Sequence, residues 1–323
     1  MSGNTFRSLE EVNGRFGPCA LAIGNFDGVH IGHRKLIAEA VQFASEQGIT
    51  AAVLTFDPHP TAVVAPDRVP PMICTMEQRL KLLGEAGAQK IFVLPFTAEL
   101  AQQSPEEFVS GLLVKSLETR GVFVGEGFRF GYKQSGTPEV LSQLASQYKF
   151  SARFVHPVSY RGEIVSSSAI RRYIGSGNVS RASRLLGRCY SLQGEVVKGQ
   201  GIGSKQTVPT LNLRPDSDLV LPRGVYATET LDLESGRKWE SVTNSGYRPT
   251  FGGTELMVET YLLSPLEDSS PERIQVQFRH FIRPEKQFPD AAALKAQIFR
   301  DVARAQVFTR RWRKFAQSQS SLY

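Results

Sequence analysis

The spacing of apolar runs changes character once along this chain, and that change constrains the fold more than any other feature. Ala20–Phe26, Ala51–Phe56, Ile91–Phe96, Gly121–Val124 and Phe150–Val155 are short runs rich in Val, Ile and Phe, separated by stretches with helical spacing. Leu36, Ile37, Ala40, Val41 and Ala44 fall on one helical face. A second helix start is legible at Ser104, with Pro105 in the first helical position and Glu107 completing a capping box. Such alternation predicts parallel βαβ units in a doubly wound, Rossmann-like sheet. After Tyr190 strands follow one another: Ser191–Val197, Thr210–Arg214, Gly224–Leu233, Trp239–Thr243, Leu256–Leu263 and Ile274–Ile282, punctuated by Pro222–Gly224 and Gly252–Gly253. They predict a small antiparallel β-barrel. One helix, from about Asp290 to Trp312, ends the pattern, with Leu294, Ile298, Val302 and Ala305 toward the core. A chain of 323 residues exceeds one ordinary core. The boundary is placed near Leu186, giving an α/β domain over 1–186 and a barrel domain over 187–323.

Apolar content of 41% marks a globular chain. The net charge of +7 suits anionic partners such as nucleotides, nucleic acid or an acidic membrane surface. Part of that excess is local: Arg300, Arg304, Arg310, Arg311, Arg313 and Lys314 crowd the C-terminal segment, which reads as a solvated helix face rather than a nucleic-acid site. Cys19, Cys74 and Cys189 form no CxxC pair, so reduced thiols and a cytoplasmic location are expected. The first residues carry no apolar signal core, and no run is long enough to span a bilayer.

The stretch GNFDGVHIGH, Gly24–His33, stands at the carboxyl end of the first predicted strand, where open α/β sheets bind ligands. His30 and His33 fall on one face of a first helical turn, beside unpaired backbone N–H groups and the positive end of the helix dipole. With Gly24, Gly28 and Gly32 admitting close approach, the stretch is built to face an anion. A zinc pair would need a third ligand; Asp27 is the nearest candidate, and no other His or Cys stands nearby.

Eight motifs then occur in order: GNFDGVHIGH, TFDPHP (Thr55–Pro60), GFRFG (Gly127–Gly131), SSSAIRR (Ser166–Arg172), VPTLNL (Val208–Leu213), NSGYRPTFGG (Asn244–Gly253), VETYLL (Val258–Leu263) and IRPEKQFPDAAALKAQIFRD (Ile282–Asp301). Together they resemble the bacterial bifunctional riboflavin kinase/FMN adenylyltransferases. The resemblance implies an HxGH nucleotidyltransferase module followed by a riboflavin kinase barrel, using ATP twice, with Mg²⁺, or Mn²⁺ in its place. It implies ATP contacts by Gly24, Asn25, Phe26, Gly28, His30, His33, Ser166, Ser167, Ser168 and Arg171, with Arg172 competing for the arginine's role. The flavin side falls to Asp57, His59, Phe128 and Phe130. In the second half it implies metal contacts by Thr210 and Asn212, a base at Glu259 that also touches the flavin, and an ATP loop over Gly199, Gly201, Gly203 and Lys205. That loop lacks the GK[ST] ending of a P-loop.

The two reactions ask for different chemistry. A phosphomonoester has its second pKa near 6, so FMN attacks already ionised and needs charge neutralisation and alignment rather than a base. The hydroxyl of riboflavin is neutral, so a carboxylate base and a metal are expected for the kinase. Departures from the family pattern stand at Gly127, where Asp or Asn precedes FRFG, and at Ser204, Gln206, Thr207 and Val208, where an arginine and then Leu-Gly-Phe precede Pro-Thr. Lys205 could replace the lost charge. The rival readings are a monofunctional kinase with a decayed first half and a flavin- or nucleotide-binding regulator. Retention of His30, His33, Thr210 and Glu259 together favours the enzyme. Expected partners are riboflavin, FMN and ATP, with a weak homo-oligomer at most and neither nucleic acid nor membrane.

Overall fold

The computed structural model describes residues 4–12, 14–197, 210–216, 219–250, 253–266 and 270–320. They form two compact units, one of residues 1–70 with 76–166 and one of residues 71–75 with 167–323.

The first unit is built on a parallel sheet whose strands are β1 (Thr5–Phe6), β2 (Cys19–Ile23), β3 (Thr50–Asp57), β4 (Lys90–Pro95), β5 (Thr119–Gly125) and β6 (Ser151–Val155). Its helices are α1 (Leu9–Val12), α2 (Ile31–Gln47), α3 (Pro60–Val64), α4 (Met76–Glu85), α5 (Ala98–Gln102), α6 (Pro105–Glu107) and α7 (Pro138–Tyr148). The predicted capping box opens α6: Glu107 N–H donates to Ser104 Oγ at 3.2 Å, and Ser104 N–H to Glu107 Oε2 at 2.8 Å. Strands lie in the order β1-β4-β3-β2-β5-β6, so the winding reverses between β2 and β5. Both faces of the sheet are covered, one core gathering around Leu21, Leu54 and Phe92 and the other around Ala22, Val53 and Ile37. This is the predicted doubly wound sheet, with β1 as an edge strand too short for its pattern to be read. A two-stranded hairpin, β7 (Ser159–Tyr160) and β8 (Glu163–Ile164), follows.

The second unit holds α8 (Ser167–Gly175), α9 (Val179–Leu186) and six strands, β9 (Tyr190–Val197), β10 (Thr210–Pro215), β11 (Gly224–Asp232), β12 (Lys238–Thr250), β13 (Gly253–Leu262) and β14 (Arg273–Arg283). The strands close into an antiparallel barrel in the order β10-β13-β12-β11-β14-β9, as the run of Gly-punctuated strands predicts. Residues alternate between barrel interior and exterior. Val225, Ala227 and Val242 face outward beneath the terminal helix α10 (Ala291–Ser320), whose Ala305 is fully buried against them. Between them, Tyr226, Thr228 and Thr230 point inward. There Thr228, Thr230, Ser241, Thr243 and Thr260 join in a buried hydroxyl chain with spacings of 2.8–3.0 Å. Each hydroxyl thereby finds a partner in a water-poor interior.

The five-residue segment Pro71–Thr75 belongs to this second unit, where Val220 N–H donates to the Met72 carbonyl at 2.8 Å. Among the described residues no helix is long and apolar enough to cross a membrane.

Candidate active sites

In the first unit the reversal of winding places the ends of β2 and β5 side by side, the crevice where doubly wound sheets bind ligands. Gly24–His33 leaves β2 at that edge, and Gly127–Gly131 follows β5. The chain between β2 and α2 is held in an uncommon conformation, with φ of 50° at Phe26, 81° at Gly28 and 38° at Val29. Glycine adopts this region freely, but a β-branched valine there is strained by on the order of 1–3 kcal/mol, a cost that persists where function requires the shape.

That turn delivers His30 as the N-cap of α2. His30 Nδ1 accepts the His33 backbone N–H at 3.2 Å, so a neutral His30 carries its proton on Nε2. The two imidazoles stack with centroids 3.5 Å apart, and the Phe26 ring meets His33 edge-on at 5.2 Å. A Cβ on Gly32 would lie 3.2 Å from the His30 ring, so only glycine leaves the stack undisturbed. Burial, then His30, then Arg79 hold the His33 imidazole well below its ordinary range. His33 is therefore neutral at neutral pH, and its buried Nδ1 has no hydrogen-bond partner. Among the described residues no group of three or more His, Cys, Asp or Glu side chains could hold a metal ion.

The other predicted residues of this unit gather at the same edge. Asn25 Nδ2 and His59 Nε2 lie 3.2 Å apart, and Thr55 Oγ1 donates to the Asn25 carbonyl at 3.1 Å, tying the ends of β2 and β3 together. Asp57 is exposed at the end of β3. Phe128 is half-buried and stacks on Phe130 at 5.5 Å, while Phe130 is 8% exposed and packs against Phe108 in the core. Gly127 has an ordinary φ and open space where a Cβ would project, and Glu126 is engaged by His156 at 3.0 Å.

A residue of this region went unread in the sequence. Arg79 on α4 is 3% exposed and pairs at 3.8 Å with Asp27, itself 1% exposed, inside the strained turn. The signal was present: Arg79 and Leu83 are the buried positions of α4, so a charge sits on the helix's apolar face.

Ser166 precedes α8, and Ser167 and Ser168 form its first turn. Arg171 Nε donates to the Pro71 carbonyl at 2.9 Å, and the Arg172 guanidinium lies over the Tyr173 ring at 5.2 Å.

In the barrel, Thr210 and Asn212 stand two apart on β10 and so share a face. The ladder pairs Asn212 with Glu259 on β13, and Glu259 in turn with Asn244 on β12. Directly opposed residues on one face have Cβ atoms about 4.5–5.5 Å apart, so Asn212, Glu259 and Asn244 form a polar row across three strands. Tyr261, two residues on, donates its hydroxyl to Glu259 Oε2 at 3.4 Å. Burial and Glu259 push the Tyr261 phenol above its ordinary range, so it stays a donor. A cleft of about 220 Å³ opens beside it, lined by Tyr261, Leu263, Ile298, Phe299, Val302 and Gln306. Threonine hydroxyl, asparagine carbonyl and carboxylate are all hard oxygen donors, the set that suits Mg²⁺ or Mn²⁺ with retained waters. The residues present fit such an ion. Gly199, Gly201, Gly203 and Lys205 lie outside the described residues.

Comparison with known proteins identifies the family of the chain. Residues 13–169 match the FAD synthetase family model and residues 186–309 the riboflavin kinase model. The bifunctional riboflavin kinase/FMN adenylyltransferase of Escherichia coli K12 is 33% identical over 290 residues, covering 90% of this chain and 92% of its own. The chain belongs to the bifunctional riboflavin kinase/FMN adenylyltransferases. The Haemophilus influenzae relative is 31% identical over 94% of this chain and 98% of its own. A solved structure titled as a macrolide-efflux protein from Streptococcus pneumoniae is similar throughout, with a TM-score of 0.82 and 26% identity over 94% of this chain and 98% of that one. The enzyme phosphorylates riboflavin to FMN and adenylylates FMN to FAD, drawing on ATP for both.

Proposed function

We propose that the two reactions divide between the modules at Leu186, with the His30–His33 stack serving adenylyl transfer and the Asn212–Glu259 row serving phosphorylation. The observation that carries this reading is the barrel register, which sets the Glu259 carboxylate directly opposite the Asn212 amide on one face.

In the first module an oxygen of the FMN phosphate attacks the α-phosphorus of ATP, and the bond to the departing pyrophosphate breaks. The attacker is already anionic, so no proton need be removed. His30 and His33 donate N–H groups to the transferring phosphate, and the first turn of α2 adds backbone donors and its positive dipole end. Gly24, Asn25, Phe26 and Gly28 shape that wall. Ser166, Ser167, Ser168 and Arg171 keep the phosphate-contact role their motif implies. Asp57, His59 and the Phe128 ring serve the flavin side, with Phe130 supporting Phe128 from the core.

In the second module Glu259 accepts the proton of the ribityl hydroxyl as its oxygen attacks the γ-phosphorus of ATP. Thr210 and Asn212 would hold Mg²⁺, with Mn²⁺ an equivalent oxygen-seeking ion; when bound, it neutralises charge on the ATP phosphates. The apolar cleft beside Tyr261 seats the flavin ring, and Gly199, Gly201, Gly203 and Lys205 contribute amides and charge to the phosphates. A cytoplasmic location suits Cys19, Cys74 and Cys189, which form no disulfide with one another.

The test measures each step separately, with FMN supplied directly for the second. Glu259→Gln keeps size but cannot take the proton, so riboflavin phosphorylation should fall roughly 10²–10⁴-fold. Thr210→Val should raise the Mg²⁺ concentration needed for the same step. FMN adenylylation should stay near wild type in both. Undiminished phosphorylation in Glu259→Gln makes Glu259 an ordinary strand residue, and equal loss of both steps dissolves the division of labour.

A further inference from the structure

Arg79 puts a charge where the pattern of α4 asks for an apolar side chain. It stands one helical turn before Leu83, the other buried position of α4, and so shares its face. Leu83 belongs to the core cluster that also holds Phe26 and Val29, so that face packs beneath the turn leading into α2. There Arg79 Nη2 lies 3.8 Å from Asp27 Oδ1, with both side chains at most 3% exposed. Arg79 Nε has no hydrogen-bond partner. Taking a guanidinium and a carboxylate out of water is costly, and apolar residues of similar volume often serve stability as well or better. Stability alone is therefore a poor account of why the pair is there.

We infer that Arg79 is a positioning residue for FMN adenylylation, acting through Asp27 on the turn that carries the His30–His33 stack. This rests on the proposed role of that stack in adenylyl transfer. Asp27 sits between Phe26 and Val29, two residues without glycine's freedom that are held at φ of 50° and 38°. A strained shape of this kind persists only where its surroundings fix it. Other contacts hold the ends of the turn: Thr55 Oγ1 donates to the Asn25 carbonyl at 3.1 Å, and Val29 N–H to the Phe26 carbonyl at 3.0 Å. Arg79 adds a charge against its middle. Three residues beyond Asp27, His30 caps α2 and stacks on His33, so a shift at Asp27 carries both rings with it. In-line transfer between two phosphates tolerates little such misplacement. Arg79 itself is too deeply buried to reach a phosphate. Its charge also weighs against protonation of His33, behind burial and His30.

The experiment measures the two steps separately in the full-length enzyme, with FMN supplied for the second. Arg79→Met should lower kcat for adenylylation by about 10- to 100-fold, with the KM values for FMN and ATP nearly unchanged and riboflavin phosphorylation intact. Arg79→Lys, which keeps the charge, should recover most of the loss. Combining Arg79→Met with Asp27→Asn separates stability from positioning. Removing both buried charges together should restore the melting temperature lost in Arg79→Met but leave kcat low. In a His33→Ala background Arg79→Met should cost less than in the wild type, since one of the groups it positions is gone. A folded Arg79→Met enzyme with wild-type kcat overturns the inference. So does a kcat that returns with the melting temperature in the double variant, which makes Arg79 a structural ion-pair residue only. The double variant decides the matter even where Arg79→Met alone fails to fold. Undiminished adenylylation after His30→Ala and His33→Ala overturns instead the reading of the stack, and the two failures are thereby told apart.

Discussion

On the proposed reading the two units handle the same ligand group, the phosphates of ATP, with opposite means. In the α/β unit the donors come from one short segment: a helix start, two stacked imidazoles and a turn whose backbone is strained at Phe26 and Val29. In the barrel the proposed metal-holding and base residues are single residues on β10 and β13, assembled by register. The nucleophile explains the contrast. An ionised phosphate needs only a shaped wall of donors, which local structure provides. A neutral hydroxyl needs a base at one angle to a metal, and rigid cross-strand geometry provides that.

The sharpest way to break this comparison is to remove the local wall. Replacing both His30 and His33 by Ala should abolish FAD formation, each lost contact costing on the order of 2–4 kcal/mol of transition-state stabilisation. Riboflavin phosphorylation should remain. Chromatographic separation of FMN and FAD reads both outcomes at once, and undiminished adenylylation would remove the histidines from the site.

A second substitution asks whether the wall depends on what lies beneath it. Arg79→Met removes the buried guanidinium that pairs with Asp27, which should destabilise the α/β unit by about 3–5 kcal/mol. Arg79→Lys, which retains a charge, should cost less. Thermal unfolding followed by a probe in each unit should show the loss in the first alone. Equal loss in both units would mean that they unfold as one.

The smallest effect is expected at Gly127. Its φ is ordinary and its surroundings are open, so Gly127→Asp should fold normally and raise the rate of FAD formation by a few-fold or tighten FMN binding, as titration of flavin fluorescence would read. A drop in activity instead would mean that the position must stay without a side chain.

Most strands and the histidine-bearing helix start were legible in the sequence because their signals are local. Period-two apolar runs, Gly and Pro punctuation and a histidine pair at a helix start need no knowledge of the rest of the chain. Asn244 was not legible as a partner of Glu259, because fifteen residues and a strand reversal separate them and only the ladder places them opposite. Arg79 was visible as a charge on an apolar helix face, but its partner Asp27 lies on another element. Pro71–Thr75 gave no signal either: five residues between helices carry too little pattern to announce that they pack with strands far along the chain.

That short segment has a bearing on dissection of the enzyme. Since the first unit is residues 1–70 with 76–166, the polypeptide passes between units at 70/71, 75/76 and 166/167. A gene divided after residue 166 would therefore yield a kinase fragment missing Met72, whose carbonyl accepts from Val220, and the Pro71 carbonyl that holds Arg171. Separating the two units cleanly would take a graft of those five residues as well as a cut.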